Sequence, residues 1–140
     1  MARALELARA QAGRTGVNPA VGCVIVQRGN IVAEGATADG GRPHAERMAL
    51  NLAGPLARGA DIYVTLEPCA HERPWGCCAD ALTRAKPGRV VIASLDPDPR
   101  TNGAGEAKLR AAGIAVETGL MEAEAKAINK DFFARNWGKG

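Results

Sequence analysis

The sequence predicts an α/β protein, a three-layer α/β/α sandwich around a mixed five-stranded sheet. After an opening hairpin, short β-branched runs alternate with segments of helical period, the pattern of strands joined by helical crossovers. The 140 residues, 46% hydrophobic and 24% charged, suit one domain spanning 1–140 with its own core, and they rule out disorder as the dominant state. No internal repeat, low-complexity tract or linker divides the chain.

The elements follow in order. Residues 1–12 are rich in Ala and Leu, with Leu5, Ala8 and Ala12 on one helical stripe and Gly13 as a stop. Asn18-Pro19 breaks the chain. Residues 21–26 form a strand, Arg28-Gly29-Asn30 a turn, and residues 31–35 the returning strand. A loop with Gly40, Gly41 and Pro43 leads into a helix over 44–53. A third strand at 61–66 stops at Pro68. A loop rich in special residues runs to Gly76, and a helix follows over 77–86, stopped by Pro87-Gly88. Residues 89–93 make a fourth strand, and Asp96-Pro97-Asp98-Pro99 a stiff loop, since each Pro restricts itself and the residue before it. A helix over 104–112, a strand over 114–116 and a last helix over 120–134 complete the pattern. The sheet is expected to be mostly parallel and covered on both faces.

Composition narrows the function. No apolar run approaches the roughly 20 residues of a membrane span. The opening Met1-Ala2-Arg3-Ala4-Leu5-Glu6 lacks the features of a secretory signal, so a cytoplasmic protein is expected. A net charge of +3 with 4% aromatics argues against a nucleic-acid or membrane partner. In such a setting the four Cys read as free thiols or metal ligands before disulfides.

The chemistry concentrates in His44-Ala45-Glu46 and, downstream, Pro68-Cys69. The zinc deaminase signature is H-x-E with a later P-C-x-x-C. The first half is complete. The second departs, because Glu72 stands three residues after Cys69 and the next thiols are Cys77 and Cys78. A catalytic zinc takes three protein ligands and keeps one position open, so His44, Cys69 and one of Cys77 or Cys78 are the candidates. Both halves meet a helix start, whose positive end favours thiolates. Glu46 is left as the acid-base group. A purely structural zinc would use four protein ligands and have no need of it.

The wider motifs are specific. Residues 15–26 (TGVNPAVGCVIV), 41–46 (GRPHAE) and 63–71 (YVTLEPCAH), with Asp96-Pro97-Asp98-Pro99, Ala112-Gly113-Ile114 and Asn129-Lys130-Asp131-Phe132-Phe133, resemble the deaminase domain of the bifunctional riboflavin-biosynthesis deaminase/reductase. That domain belongs to the cytidine deaminase superfamily, and the resemblance covers nearly the whole chain. It implies a cytidine-deaminase-like fold, bound Zn2+, and hydrolytic deamination of a diaminopyrimidinone carrying a ribosylamino 5′-phosphate. In this branch eight residues separate the ligand cysteines, which selects Cys78 over Cys77. Asn18 matches a position that hydrogen-bonds the pyrimidine, although alone it reads as a turn residue before Pro19. His71 matches a position near the sugar-phosphate end. Cys23 reads as core. The family commonly pairs or tetramerises, so a homodimer or higher oligomer is implied. The reductase domain should begin after Phe133-Ala134-Arg135, so a separate reductase and no NADPH are expected.

Two departures fall near the expected pocket. The family has a His where this chain has Thr37, and its basic residue between the ligand cysteines falls on Pro74. Arg73 lies one position away and is a candidate phosphate contact, and Trp75 a candidate stacking surface. The alternatives are an amino-heterocycle without a phosphate, a tRNA deaminase, and a non-catalytic zinc module.

Overall fold

The computed structural model describes residues 1–71 and 76–137, with side chains through 135. Helix α1 (Ala2–Gln11) buries Ala4, Leu5 and Ala8, a small-residue stripe that lets it lie close on the sheet. Strands β1 (Gly22–Gln27) and β2 (Asn30–Ala36) form the expected hairpin. Its turn needs positive φ at both Arg28 (53°) and Gly29 (80°), the geometry that matches strand twist in a two-residue loop. Helix α2 (Ala45–Ala53) crosses to β3 (Asp61–Val64). Helix α3 (Cys78–Ala85), β4 (Arg89–Ile92), α4 (Ala104–Ala111) and β5 (Ala115–Thr118) then alternate.

The strands hydrogen-bond in the order β2-β1-β3-β4-β5. The β3–β4 and β4–β5 pairs are parallel, while β1 is antiparallel to both β2 and β3. Parallel and antiparallel pairs are therefore equal in number, and the sheet is mixed rather than mostly parallel. The hairpin explains this. It reverses the chain once, and α2 then carries it past β1 to add β3 on the far side.

Helices α2, α3 and α4 cover one face of the sheet, and α1 lies on the other. Two glycines permit the closest approaches. A Cβ on Gly22 would land on the Ala4 carbonyl of α1, and one on Gly35 would strike the Ala45 carbonyl of α2. The main core lies under α2–α4, around Ile25, Ile62, Leu82, Ile92 and Leu109, all fully buried. Each such side chain stabilises the fold by about 1.5–3 kcal/mol.

The last helix differs from expectation. Residues 120–134 form two helices, α5 (Glu122–Ile128) and α6 (Lys130–Trp137), broken at Asn129. Asn129 has a better use for its side chain than facing solvent from a continuous helix. Its amide accepts from the Ala20 N–H and donates to the Ala20 carbonyl, both at 2.8 Å, and so pins the break to the segment ahead of β1. Among the described residues no helix is long and apolar enough to cross a membrane.

Candidate metal centre and its pocket

His44, Cys69 and Cys78 meet where the carboxyl end of β3 faces the starts of α2 and α3. His44 is the residue before the first turn of α2, and its ring makes no capping bond to that helix. Its Nδ1 lies 3.4 Å from Cys78 Sγ and 3.9 Å from Cys69 Sγ. Cys69 follows Pro68, which ends the extended run after β3. Cys78 opens α3, and its backbone N–H donates to Cys69 Sγ at 3.2 Å. The three donor atoms lie within 4.8 Å of one another. Around a tetrahedral zinc, with bonds of about 2.0–2.3 Å, ligand atoms stand roughly 3.5 Å apart, so this nitrogen and two sulfurs fit that ion.

The electrostatics suit the same use. A hydrogen bond from the Cys78 thiol lowers the Cys69 thiol well below its ordinary value, helped by His44 and the Cys78 N–H against the effect of burial. Cys78, the donor, is pushed up. The shift favours the thiolate at Cys69, the form that binds metal.

Glu46 sits in the first turn of α2, 4% exposed, lining the cavity beside His44 but outside the cluster of donor atoms. Burial pushes its carboxyl up to about 7, with His44 opposing the rise. A carboxyl in that range can both take and give a proton at neutral pH.

Cys77 has a different occupation. It is the residue that precedes α3, and its thiol hydrogen-bonds the Asp80 carboxylate in the first turn, which lowers Asp80. Burial raises the Cys77 thiol. It lies outside the donor cluster. Cys23 is fully buried in β1, among the residues packed against α2.

A cavity of about 320 Å³ opens beside the cluster. Asn18 and His71 both line it, so the structure brings these two together with His44, Glu46 and Cys69. The Asn18 amide donates to the Gly41 carbonyl at 3.2 Å. His71 Nδ1 lies 3.2 Å from the hydroxyl of buried Thr101. Arg73 and Trp75 lie outside the described residues. Thr37 also lines the cavity, but its hydroxyl accepts the Val21 N–H at 3.0 Å and so serves the backbone.

The cavity has further walls that the motifs do not announce. Glu67 is 2% exposed, and its carboxylate accepts the N–H groups of Asp96, Gly103 and Glu106 at 2.9–3.1 Å. It therefore ties the segment bearing Cys69 to the loop after β4 and to the start of α4. Asp96 and Asp98 line the cavity from that loop, and burial raises the Asp96 carboxyl to about 6. Arg100, Phe132 and Arg135 complete the rim. The signal for the loop residues was available, because ligands in open α/β sheets bind beyond the carboxyl ends of strands, where Asp96-Pro97-Asp98-Pro99 follows β4. No local pattern pointed to Arg135, and Phe132 stood in a matched motif without an assigned role.

Three comparisons bear on this arrangement. A family model described as the cytidine and deoxycytidylate deaminase zinc-binding region matches residues 1–94. The riboflavin biosynthesis protein RibD of Aquifex aeolicus is 50% identical over 133 residues, covering 95% of this chain and 37% of that protein. The diaminohydroxyphosphoribosylamino-pyrimidine deaminase of Buchnera aphidicola subsp. Schizaphis graminum is 46% identical over 135 residues, covering 96% of this chain and 92% of that one. A solved structure of Acinetobacter baumannii RibD superposes with a TM-score of 0.91 at 45% identity, covering 95% of this chain and 38% of that one. The chain thus spans little more than a third of the RibD proteins it matches, and nearly all of the shorter Buchnera relative.

Proposed function

Because the chain belongs to the cytidine and deoxycytidylate deaminase zinc-binding family, we propose that it is a zinc-dependent hydrolase that deaminates diaminohydroxyphosphoribosylaminopyrimidine, the compound named for the Buchnera relative. The observation that carries the reading is the pairing of a His-Cys-Cys donor cluster with a buried carboxyl that is not part of it, with His44, Cys69 and that carboxyl lining one cavity. A purely structural metal site has no use for that carboxyl.

In this reading His44, Cys69 and Cys78 hold the ion. Zinc, when bound, supplies the Lewis acidity that makes a water nucleophilic near neutral pH. Glu46 takes a proton from the attacking water and gives it to a ring nitrogen; it then carries the proton of the new hydroxyl to the amino group, so that C=O forms as the C–N bond breaks and ammonia leaves. Its carboxyl near 7 suits both transfers. Asn18 gives its N–H to Gly41, which leaves its carbonyl oxygen to accept from an amino or ring N–H of the heterocycle. His71 stands nearer the sugar end. Burial of Glu46 and of the donor sulfurs keeps bulk water from competing for their protons.

A second reading keeps the chemistry and changes the substrate to an amino-heterocycle without a phosphate. It is favoured by the Thr37 hydroxyl being held by the Val21 backbone, where the resembled family has a histidine. The assembly inferred with the first reading is a cytoplasmic homo-oligomer, and analytical ultracentrifugation tests the oligomer.

The deciding experiment measures metal content and ammonia release with the phosphorylated pyrimidine and its dephosphorylated form. One zinc per chain with turnover of the phosphorylated compound is expected. Turnover of the dephosphorylated form alone selects the second reading, and no ammonia from either rejects the first.

A further inference from the structure

The rim of the cavity holds its charges unequally. Asp98 and Arg100 close a local ion pair, with Arg100 Nη2 donating to Oδ2 at 2.6 Å and Nε to Oδ1 at 3.1 Å. Glu67 is occupied by three backbone N–H groups. Arg135 is different. Its guanidinium donates to the Val17 carbonyl at 2.9 Å and lies 6.0 Å from the centroid of the Phe132 ring. Among the described residues no carboxylate stands within ion-pair distance of it. Among those residues its positive charge meets no carboxylate, and one of its five N–H donors goes to Val17.

That guanidinium is also held in place. Val17 and Ala20 belong to the segment leading into β1, and Asn129 joins the same segment to the start of α6 through two bonds of 2.8 Å. Helix α6 and this segment thus form one wall, with Arg135 tied across it. A planar fork fixed beforehand loses little freedom on meeting an anion, and it suits a phosphate better than a mobile lysine does. The cavity joins Arg135 to Glu46, and about 320 Å³ has room for more than a pyrimidine ring.

Resting on the deaminase reading above, we infer that Arg135 is a specificity-determining residue that receives the phosphate of the substrate while the heterocycle lies at Glu46. The charge comes from the last helix of the chain, far in sequence from the zinc motifs.

The test pairs kinetics with binding in the zinc-loaded protein. Arg135→Gln should raise KM for the phosphorylated pyrimidine by about 10- to 100-fold, the range for losing a charge-assisted contact, with kcat nearly unchanged. KM for the dephosphorylated form should not move. Arg135→Lys should recover part of the loss, and its recovery separates lost charge from a disturbed helix. Ribose 5-phosphate, titrated by calorimetry, should bind the wild type and lose affinity with Arg135→Gln. An equal rise in KM for both pyrimidines overturns the assignment, as does ribose 5-phosphate binding that is absent in the wild type or undiminished in the variant. If neither pyrimidine is turned over, the deaminase reading fails on its own, and the titration still decides whether Arg135 holds the phosphate.

Discussion

The two ends of the cavity are built on different principles. At one end His44, Cys69, Cys78 and Glu46 come from helix starts and a strand end, half-buried or buried, with the donor atoms of the first three converging. At the other, Arg100 and Arg135 are exposed, and Val17 is 76% exposed beside them. The first end is constrained by bond formation, since an ion and a proton relay accept only certain atoms at certain distances. The second must only complement the size and charge of a substituent, which many side chains on many backbones can do. The difference predicts that substitutions at the first end abolish function, whereas those at the rim adjust it.

Replacement of Cys78 by Ser should have the largest effect. Loss of one thiolate should release the metal and lower ammonia production at least about 1,000-fold. Retention of stoichiometric zinc, read by atomic absorption, would contradict the ligand assignment.

Glu67→Ala comes next, because it removes an acceptor from one buried and two half-buried N–H groups between the two ends. Stability should fall by about 3–5 kcal/mol in urea unfolding. A loss below about 1 kcal/mol would mean that Glu67 does not hold the loop after β4.

A smaller effect is expected at Asp96, whose carboxyl sits near 6 in the fold against an ordinary 3.8. The folded state holds this proton more tightly, so the stability contributed is full below about pH 4 and lost as pH rises through about 6. Asp96→Asn keeps an acceptor for the Asp98 N–H, 2.9 Å away, and should remove a pH dependence on the order of 1–3 kcal/mol over that window. A wild-type-minus-variant difference that stays flat between those pH values rules out Asp96 as its source.

The smallest effect is expected at Cys77. Serine caps helices well, so Cys77→Ser should keep the zinc and stay within about 1 kcal/mol of the wild type. Metal loss in this variant would show that the two adjacent thiols have been assigned the wrong way round.

The same contrast explains what could be read from the sequence. The helices and strands were legible because their apolar periods are local, and the donor set was legible because His-x-Glu and Pro-Cys are local too. The choice between Cys77 and Cys78 was not local. It depends on which sulfur faces His44, and the structure turns Cys77 toward Asp80 instead. The direction of β1 relative to β3 depended on where α2 delivers the chain, which periodicity does not encode. The break at Asn129 follows from its contact with Ala20, 109 residues away, so no window over 120–134 could have revealed it. Arg135 escaped for the same reason, since a lone arginine on an exposed turn of helix becomes part of a pocket only when α6 is docked against Val17.

The central claim is that a zinc-held site uses Glu46 to move protons during hydrolytic deamination. Glu46→Gln keeps the size of the side chain and removes its acid-base function. Zinc content and ammonia release should be measured on the wild type and this variant with the phosphorylated pyrimidine. The account predicts one zinc per chain in both proteins and a fall in kcat of about 100- to 10,000-fold in the variant. Equal turnover by the two proteins would contradict it.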